Sequence, residues 1–279
     1  MLDRVLPLLG SFHDQVVLVT GASSGIGRET ALTFARQGAA VALVARRVAQ
    51  LEEVARAVKA AGARALVLPT DVTDQRAVRA TVARVRRTWD RLDILINNAG
   101  TVVPGPVAQL KAKDLEAMVR VNVFGALFMM QAVLPVMRTQ RRGTIINIAS
   151  LAGRRGVTPL GGYCATKFAL VGLTEALRTE PEAQGIHIGL VLPGVVDTPM
   201  AQRLHQDTRL PGWPSLLDMP PEWVVAAILL AVRFRLREIS VPPGAATLEL
   251  IGELAPGISD ALIRWTTAAG RLIARGPKN

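Results

Sequence analysis

Several reactive residue types are scarce in this chain: its 279 residues include one cysteine, one tyrosine and three histidines. A single cysteine excludes a disulfide bond within the chain, and it is compatible with the reducing cytoplasm, where we expect the protein to reside. The histidines and the cysteine show no metal-ligand spacing. The sequence therefore predicts neither a disulfide nor a metal site.

Long hydrophobic runs are also missing. The longest uninterrupted apolar run covers residues 223–232, about half of the roughly 20 residues that a helix needs to cross a bilayer. The N-terminal segment contains neither an adequate apolar run nor a small-residue cleavage site. We therefore expect no transmembrane helix and no secretory signal.

Acidic residues are outnumbered: 22 aspartates and glutamates face 33 lysines and arginines, which gives a formal net charge of +11. Basic domains can bind nucleic acid because they release counterions from its phosphates. In this chain the arginines occur in pairs and triplets along the whole sequence, and no basic segment is interleaved with aromatic residues. We therefore expect no nucleic-acid partner.

Two alternating patterns organise the chain. Short apolar runs predict strands at 16–20, 40–45, 64–69, 92–97, 143–149, 186–193 and 238–242. Apolar residues that return every three or four positions predict helices at 25–38, 48–61, 74–89, 111–139, 163–184 and 222–233. Apolar strands that alternate with helices form parallel sheets covered on both sides. The predicted fold class is α/β, a doubly wound (Rossmann-type) parallel seven-stranded sheet with helices on both faces.

The domain organisation follows from composition. Half of the residues are hydrophobic, enough for one large core, and no composition shift marks a second domain, so we expect a single domain over 1–279 with its core at 14–242. Four prolines make 201–221 a predicted irregular substrate-loop insertion. Residues 243–279 are a predicted helical extension that packs on the domain or on another subunit. Peripheral membrane contact through 255–275 is the alternative that we disfavour.

A glycine-rich turn, "TGASSGIG", joins the first strand to the first helix. Gly21 permits the sharp turn, while Gly25 and Gly27 allow backbone to approach phosphate and the helix to approach the strand. The serines Ser23 and Ser24 and Ile26 complete the loop. This context predicts a dinucleotide site.

The second strand ends in "LVARR", with no acid at 45–47. An acid at this point pairs with the ribose 2′-hydroxyl of NAD, whereas an arginine accommodates the 2′-phosphate of NADP. Arg46 and Arg47 offer planar donors suited to phosphate, so we expect NADP(H) to be preferred over NAD(H). The alternative is that both arginines are only solvated charges at the start of the next helix.

The only tyrosine lies four residues before a lysine, in "YCATK". Tyr163 and Lys167 share one face of a helix, and the ammonium group, together with an oxidised nicotinamide, would lower the phenol pKa. Ser150 follows the preceding strand, at the edge where such sheets bind ligands, and its hydroxyl can hold a substrate oxygen. A core aromatic, a solvated lysine and a helix cap are the structural alternatives for these three residues.

The ordered motifs resemble the short-chain dehydrogenase/reductase family in its compact single-domain form. The resemblance covers residues 14–242 and rests on "TGASSGIG", "NNAG" at 97–100, Asn122 in "VNVFG", Ser150, "YCATK" and "PGVVDTPM" at 193–200. It implies an oxidoreductase that interconverts a ketone or aldehyde and a secondary alcohol by hydride transfer, with Tyr163 as general acid/base. It also implies that Asn122 interrupts its helix and anchors a water, and that Lys167 binds the nicotinamide ribose.

The same resemblance implies further cofactor contacts. Asp71 and Val72 are expected to flank the adenine, Asn98, Ala99 and Gly100 to lie along the cofactor, and Pro193, Gly194, Val196 and Thr198 to contact the nicotinamide end. The helices at 111–139 and 163–184 are expected to form a homodimer or homotetramer interface.

Substrate identity is less constrained by the sequence. The insertion contains the apolar residues Leu204, Leu210, Trp213, Leu216, Leu217 and Met219, which indicate a small hydrophobic carbonyl or alcohol substrate. The alternative function is a non-catalytic NADP(H)-binding sensor. Relatives of that kind tend to lose the tyrosine and the lysine, and this chain has both.

Overall fold

The computed structural model describes residues 10–180, 183–207 and 218–245, together with residues 247, 254, 255, 257, 260 and 261. Its strands are β1 (Val16–Thr20), β2 (Ala40–Ala45), β3 (Ala65–Pro69), β4 (Ile94–Asn97), β5 (Gly143–Ile148), β6 (Ile186–Pro193) and β7 (Glu238–Val241). They form one seven-stranded sheet in the order β3-β2-β1-β4-β5-β6-β7, and every neighbouring pair is parallel. The predicted fold class is confirmed.

Helices connect the strands and cover both faces of the sheet. They are α1 (Gly25–Arg36), α2 (Val48–Ala60), α3 (Gln75–Trp89), α4 (Ala112–Val119), α5 (Gly125–Gln140), α6 (Gly161–Leu177), α7 (Pro199–His205) and α8 (Pro221–Phe234). Helix α6 ends at Leu177, earlier than the 184 predicted from periodicity. The chain there turns toward β6, whose first residue is Ile186.

The strands are apolar throughout because each of their faces is covered by helices. In β1, Val17 and Val19 belong to the core shared with α1, α2 and α8. Val16 and Leu18 belong to the opposite core, with α3 and α5. Since successive side chains of a strand point to opposite faces, a strand between two cores needs apolar residues at every position.

Helices α4 and α5 form one continuous rod through a π-helical turn at Arg120–Phe124, which contains Asn122. By length and composition alone, the segment Ala112–Gln140 could cross a membrane, although the sequence predicted no such helix. Its apolar character has a local cause: Met129, Val133 and Met137 are fully buried against the sheet.

Two predicted segments differ from expectation or lie outside the described residues. The insertion predicted as irregular over 201–221 begins inside a helix, because α7 continues to His205. Residues 208–217 and 262–279 lie outside the described part of the chain. The segment 255–275, considered for peripheral membrane contact, therefore falls largely outside it.

The tight junction between β1 and α1 generates a stability prediction. A Cβ atom on Gly27 would lie 2.4 Å from the Gly21 carbonyl oxygen and 2.5 Å from Asn98 Nδ2. We expect Gly27→Ala to lower the free energy of unfolding by about 1–3 kcal/mol, because the helix must move away from the strand. Urea unfolding monitored by circular dichroism measures the change.

Gly172→Ala is the matched control. Gly172 lies inside α6, and nothing lies within 4 Å of the position that its Cβ would occupy. This variant should be unchanged or more stable by about 0.5–1 kcal/mol, because alanine loses less entropy than glycine in a helix. Equal stability of the two variants would contradict the close contact at Gly27.

Candidate active site

A cavity of about 1270 Å³ opens at the edge of the sheet where the strands end. It lies where the order of the strands reverses, between β1 and β4, the usual ligand position in doubly wound sheets. The predicted residues that line it are Gly21, Ser23, Ser24, Gly25, Ile26, Arg46, Arg47, Asp71, Val72, Asn98, Ala99, Gly100, Ser150, Tyr163, Lys167, Pro193, Gly194, Val196 and Thr198. Gly27 and Asn122 do not line the cavity.

The glycine-rich loop adopts conformations that other residues rarely take. Gly21 and Gly25 have φ values of +68° and +54°, in the left-handed region. A Cβ atom on Gly25 would lie 3.1 Å from Thr198 Cγ2, so the segment after β6 folds directly over the loop. The glycines thus leave room for a ligand beside the start of α1, where free backbone N–H groups favour phosphate.

Two arginines follow β2 and occupy different positions. Arg47 Nη2 donates hydrogen bonds to Ser23 Oγ at 2.9 Å and to Ser24 Oγ at 2.7 Å. The exposed Arg46 lies 3.9 Å from Asp71. Arg47 is thereby held against the glycine-rich loop, and Arg46 extends toward the residues that follow β3.

The segment after β4 is held to the end of β1. Thr20 Oγ1 accepts hydrogen bonds from the backbone N–H groups of Asn98 and Ala99, at 2.9 and 3.0 Å. Asn98 Nδ2 donates to the Thr20 carbonyl at 3.0 Å. These bonds place the backbone of the Asn98–Gly100 turn along the cavity wall.

Ser150 combines a capping role with a place in the cavity. Its Oγ accepts a hydrogen bond from Ala152 N at 3.1 Å and donates one to the Pro193 carbonyl at 3.2 Å. The helix cap that was the structural alternative is present, and the hydroxyl still faces the cavity. To donate to a substrate oxygen, this hydroxyl must turn its proton away from Pro193.

Tyr163 and Lys167 lie one turn apart on α6, and both line the cavity. Lys167 is 4% exposed, and its Nζ donates to the Ile148 carbonyl at 2.8 Å. The same nitrogen lies 5.6 Å from the centroid of the Tyr163 ring. The neighbouring Cys164 is buried and packs against Ala152 and Leu160.

The pKa values of both groups are shifted by burial. Loss of water raises the pKa of Tyr163 to about 12, while its hydrogen bond with Ser150 acts in the opposite direction. Burial lowers the pKa of Lys167 to about 8. The lowered tyrosine pKa was expected with an oxidised nicotinamide beside Tyr163 and stays a prediction, whereas in the polypeptide alone the pKa is raised. Desolvation dominates, and the lysine ammonium is directed at Ile148.

Asn122 lies behind the cavity wall, 1% exposed. Its Oδ1 accepts from Thr101 N at 2.7 Å, and its Nδ2 donates to the Thr101 carbonyl and to Thr166 Oγ1, both at 2.9 Å. The side chain therefore ties the π turn to α6 and to the loop after β4. The water that it was expected to anchor remains a prediction.

The substrate end of the cavity contains residues that sequence reasoning missed. Leu204 and Met219, predicted from the insertion, line the cavity, while Leu210, Trp213, Leu216 and Leu217 lie outside the described residues. The additional lining residues include Leu160, Met200, Arg203, His205, Asp218 and Trp223. His205 Nε2 lies 2.8 Å from Asp218 Oδ2, across the insertion. No local pattern in the sequence indicates these contacts.

The residues fit a nicotinamide dinucleotide. The cavity extends from Arg46 and Arg47, past the glycine-rich loop, to Tyr163. The loop leaves no side chain where backbone must approach phosphate, since Gly21 and Gly25 have positive φ values. One elongated cavity can thus contain a dinucleotide and a small second molecule beside Tyr163.

Comparisons with known proteins agree with this geometry. The family model described as short chain dehydrogenase matches residues 15–209. The chain is 33% identical over 258 residues to the ketoacyl reductase HetN of Nostoc sp., covering 90% of this chain and 88% of that protein. It is 32% identical over 225 residues to a 3beta-hydroxysteroid dehydrogenase of Mediterraneibacter gnavus, covering 80% and 81%.

A solved structure extends the comparison to the fold. The crystal structure of a short chain dehydrogenase/reductase from Burkholderia phymatum in complex with NAD gives a TM-score of 0.80 at 24% identity. The alignment covers 89% of this chain and 96% of that chain. At this identity the likeness supports the fold.

The buried lysine generates a pH prediction. Its folded pKa of about 8 lies below the usual value of 10.5, so the unfolded chain binds more protons between these values and stability rises with pH. The variant Lys167→Met removes the buried charge and serves as the reference. The unfolding free energy of the wild type minus that of Lys167→Met should increase by about 2 kcal/mol between pH 7.5 and 10. Urea unfolding at several pH values measures this difference, and a constant difference would contradict the buried ammonium.

Proposed function

The chain belongs to the short-chain dehydrogenase/reductase family of oxidoreductases, and from this premise we propose that it interconverts a ketone or aldehyde and a secondary alcohol with NADP(H). One observation carries the proposal: Ser150, Tyr163 and Lys167 line the same cavity as the glycine-rich loop. The proton donor, its electrostatic partner and the dinucleotide site are therefore contiguous.

Each side chain has a distinct role in the proposed reaction. When bound, the nicotinamide supplies the hydride for reduction or accepts it in oxidation. Tyr163 Oη donates a proton to the carbonyl oxygen in reduction and accepts the hydroxyl proton in oxidation. Ser150 holds the substrate oxygen, and the Lys167 ammonium stabilises the phenolate that remains after proton donation.

Burial raises the pKa of Tyr163 to about 12, so its hydroxyl is protonated at neutral pH. A raised pKa also makes the phenol a weaker acid, so proton donation depends on the positive charge of Lys167 to stabilise the phenolate. Because NADPH generally serves reduction, the proposed direction, ketone or aldehyde reduction, follows from the proposed cofactor.

The cofactor preference depends on the two arginines after β2. Arg47 is already bound to the loop serines, and Arg46 is exposed at the same end of the cavity. No acid stands at 45–47 to accept the ribose hydroxyls of NAD. Planar guanidinium groups at this position can bind a 2′-phosphate, which supports NADP(H) over NAD(H).

The substrate end of the cavity supports a hydrophobic substrate. Leu160, Met200, Leu204, Met219 and Trp223 provide an apolar wall beyond Tyr163. Two relatives are described as a ketoacyl reductase and a 3beta-hydroxysteroid dehydrogenase. An acyl or steroid-like carbonyl compound is the class that fits this wall.

A homodimer or homotetramer through the α4–α5 rod and α6 is also part of the proposal. Phe124 and Phe168 are 43% and 45% exposed on these helices. Phe124 also stacks on Phe128, with ring centroids 6.0 Å apart. Exposed aromatic rings on adjacent helices are typical of subunit interfaces.

The proposed chemistry predicts that Tyr163→Phe keeps the cofactor and loses turnover. NADPH affinity should stay within a few-fold, because the ring remains, while kcat should fall about 10²–10⁴-fold without the proton donor. NADPH oxidation with a panel of hydrophobic ketones measures kcat, and fluorescence titration measures affinity. Cys164→Ser is the control and should retain turnover.

The outcomes distinguish enzyme from sensor. Turnover by Tyr163→Phe at the wild-type rate would remove Tyr163 from the chemistry. A wild type that binds NADPH and reduces nothing in the panel would instead support the non-catalytic NADP(H)-binding sensor. Failure of both proteins to bind NADPH would contradict the dinucleotide site.

The cofactor preference has its own test. Arg47→Ala should weaken NADPH binding about tenfold or more and leave NADH binding nearly unchanged, because only NADPH has the 2′-phosphate. Arg56→Ala, which removes an exposed charge from α2, is the matched control. Titrations of the wild type and both variants with each cofactor measure the six dissociation constants. Equal wild-type affinity for NADPH and NADH would overturn the preference.

A further inference from the structure

The fold places at one corner of the sheet several arginines that are far apart in the sequence. In this parallel sheet each connecting helix returns antiparallel to the strands, so helices end at the edge where strands begin. At the corner where β5, β6 and β7 begin, α5, α6 and α8 end. The arginines of this basic corner are Arg138, Arg141, Arg142, Arg178, Arg235 and Arg237.

Hydrogen bonds tie the Arg178 side chain to the backbone of neighbouring segments in the basic corner. Arg178 Nη2 donates to the Arg237 carbonyl, and Arg178 Nε donates to the Ile188 carbonyl at 3.0 Å. Burial lowers the pKa of Arg178, and the positive charge of Arg237 contributes to the same shift. Burial and the charge of Arg235 likewise lower the pKa of His187 in β6 to about 4. Burial is the main cause of both shifts, and the negative charges of Glu238 and Glu175 oppose the shift at Arg178.

Few acids neutralise this charge. Asp93 lies 3.8 Å from Arg142 and makes a closer pair with Arg91. Within the described residues, Arg138, Arg141, Arg235 and Arg237 are absent from the ion pairs at 4.0 Å or less.

Nearby glutamates leave most of the charge in place. Glu175 and Glu238 both bind Arg154, beside the corner. Glu180 is exposed just beyond the end of α6. The basic corner therefore presents a net positive surface.

Two large apolar side chains project among these arginines. Phe234 and Leu236 are 57% and 39% exposed, within the sequence "RFRLR" at 233–237. The helix α8 ends at Phe234, and Arg235 takes a left-handed conformation with φ of +52°. All five residues of this segment are consequently exposed. Helix C-termini favour basic residues, but that preference does not account for an exposed phenylalanine and leucine.

We propose that the basic corner binds an anionic lipid surface. The guanidinium groups match the lipid phosphates, and Phe234 and Leu236 enter the boundary between headgroups and acyl chains. Charge alone would also suit nucleic acid, but the exposed apolar pair favours lipid. Because the cavity opens at the opposite edge of the sheet, a docked molecule keeps its active site open to solvent.

The test is sedimentation of the full chain with phosphatidylcholine vesicles that contain or lack phosphatidylglycerol. The wild type should bind only the anionic vesicles and should bind less as salt increases. Arg235→Gln/Arg237→Gln and Phe234→Ser/Leu236→Ser should each reduce the partition coefficient about tenfold or more. Unchanged circular dichroism and NADPH titration show that the variants are folded.

Arg76→Gln/Arg79→Gln is the matched control, since it removes the same charge from exposed positions on α3. Equal losses in this control and in the Arg235/Arg237 variant would overturn the site in favour of general attraction. Full binding by the Phe234/Leu236 variant would overturn the apolar contact. If the corner variants lose affinity for duplex DNA and keep vesicle binding, the lipid proposal is wrong. None of these outcomes depends on turnover.

Discussion

The structure depends on one constraint: a parallel sheet that is covered by helices on both faces has no face exposed to solvent. The strands β1 and β6 are buried along their whole length, so charged and reactive groups collect at the ends of the sheet. The carboxyl edge contains the dinucleotide cavity and Tyr163. The opposite edge contains the starts of the strands, the ends of the helices and the basic corner. The cavity and the basic corner are therefore separated by the length of the strands.

Several of the polar groups that enter the interior are held by specific partners. Asn97 Nδ2 donates to Asn147 Oδ1 at 2.9 Å, and Asn147 Nδ2 donates to Thr174 Oγ1 at 2.9 Å, which connects β4, β5 and α6 beneath the active site. Lys167 is fixed in the same way by the Ile148 carbonyl. Such bonds offset desolvation and fix the direction of each side chain. The positions of the side chains at the cavity thus depend on hydrogen bonds between groups that do not contact the substrate.

Much of the fold and of the site could be predicted from the sequence. Strand positions followed from short apolar runs, and "TGASSGIG" and "YCATK" located the residues that line the cavity, because glycine freedom and helix spacing are local properties. The tyrosine pKa could not be predicted in the same way. Its direction depends on how far burial removes the phenol from water, and that is set by residues distant in sequence. The contact of His205 with Asp218 likewise forms across an insertion without periodicity.

The sequence by itself determined the order of elements, the dinucleotide loop and the spacing of Tyr163 and Lys167, because each is encoded within a few neighbouring residues. Only the tertiary structure decided that Arg47 binds the loop serines, that Trp223 reaches the substrate end and that six scattered arginines share one corner. The physical reason is the direction of the chain. Because the strands are parallel and the connecting helices run antiparallel to them, the ends of several helices lie beside the starts of several strands. Residues at these ends become neighbours only when the whole sheet has formed.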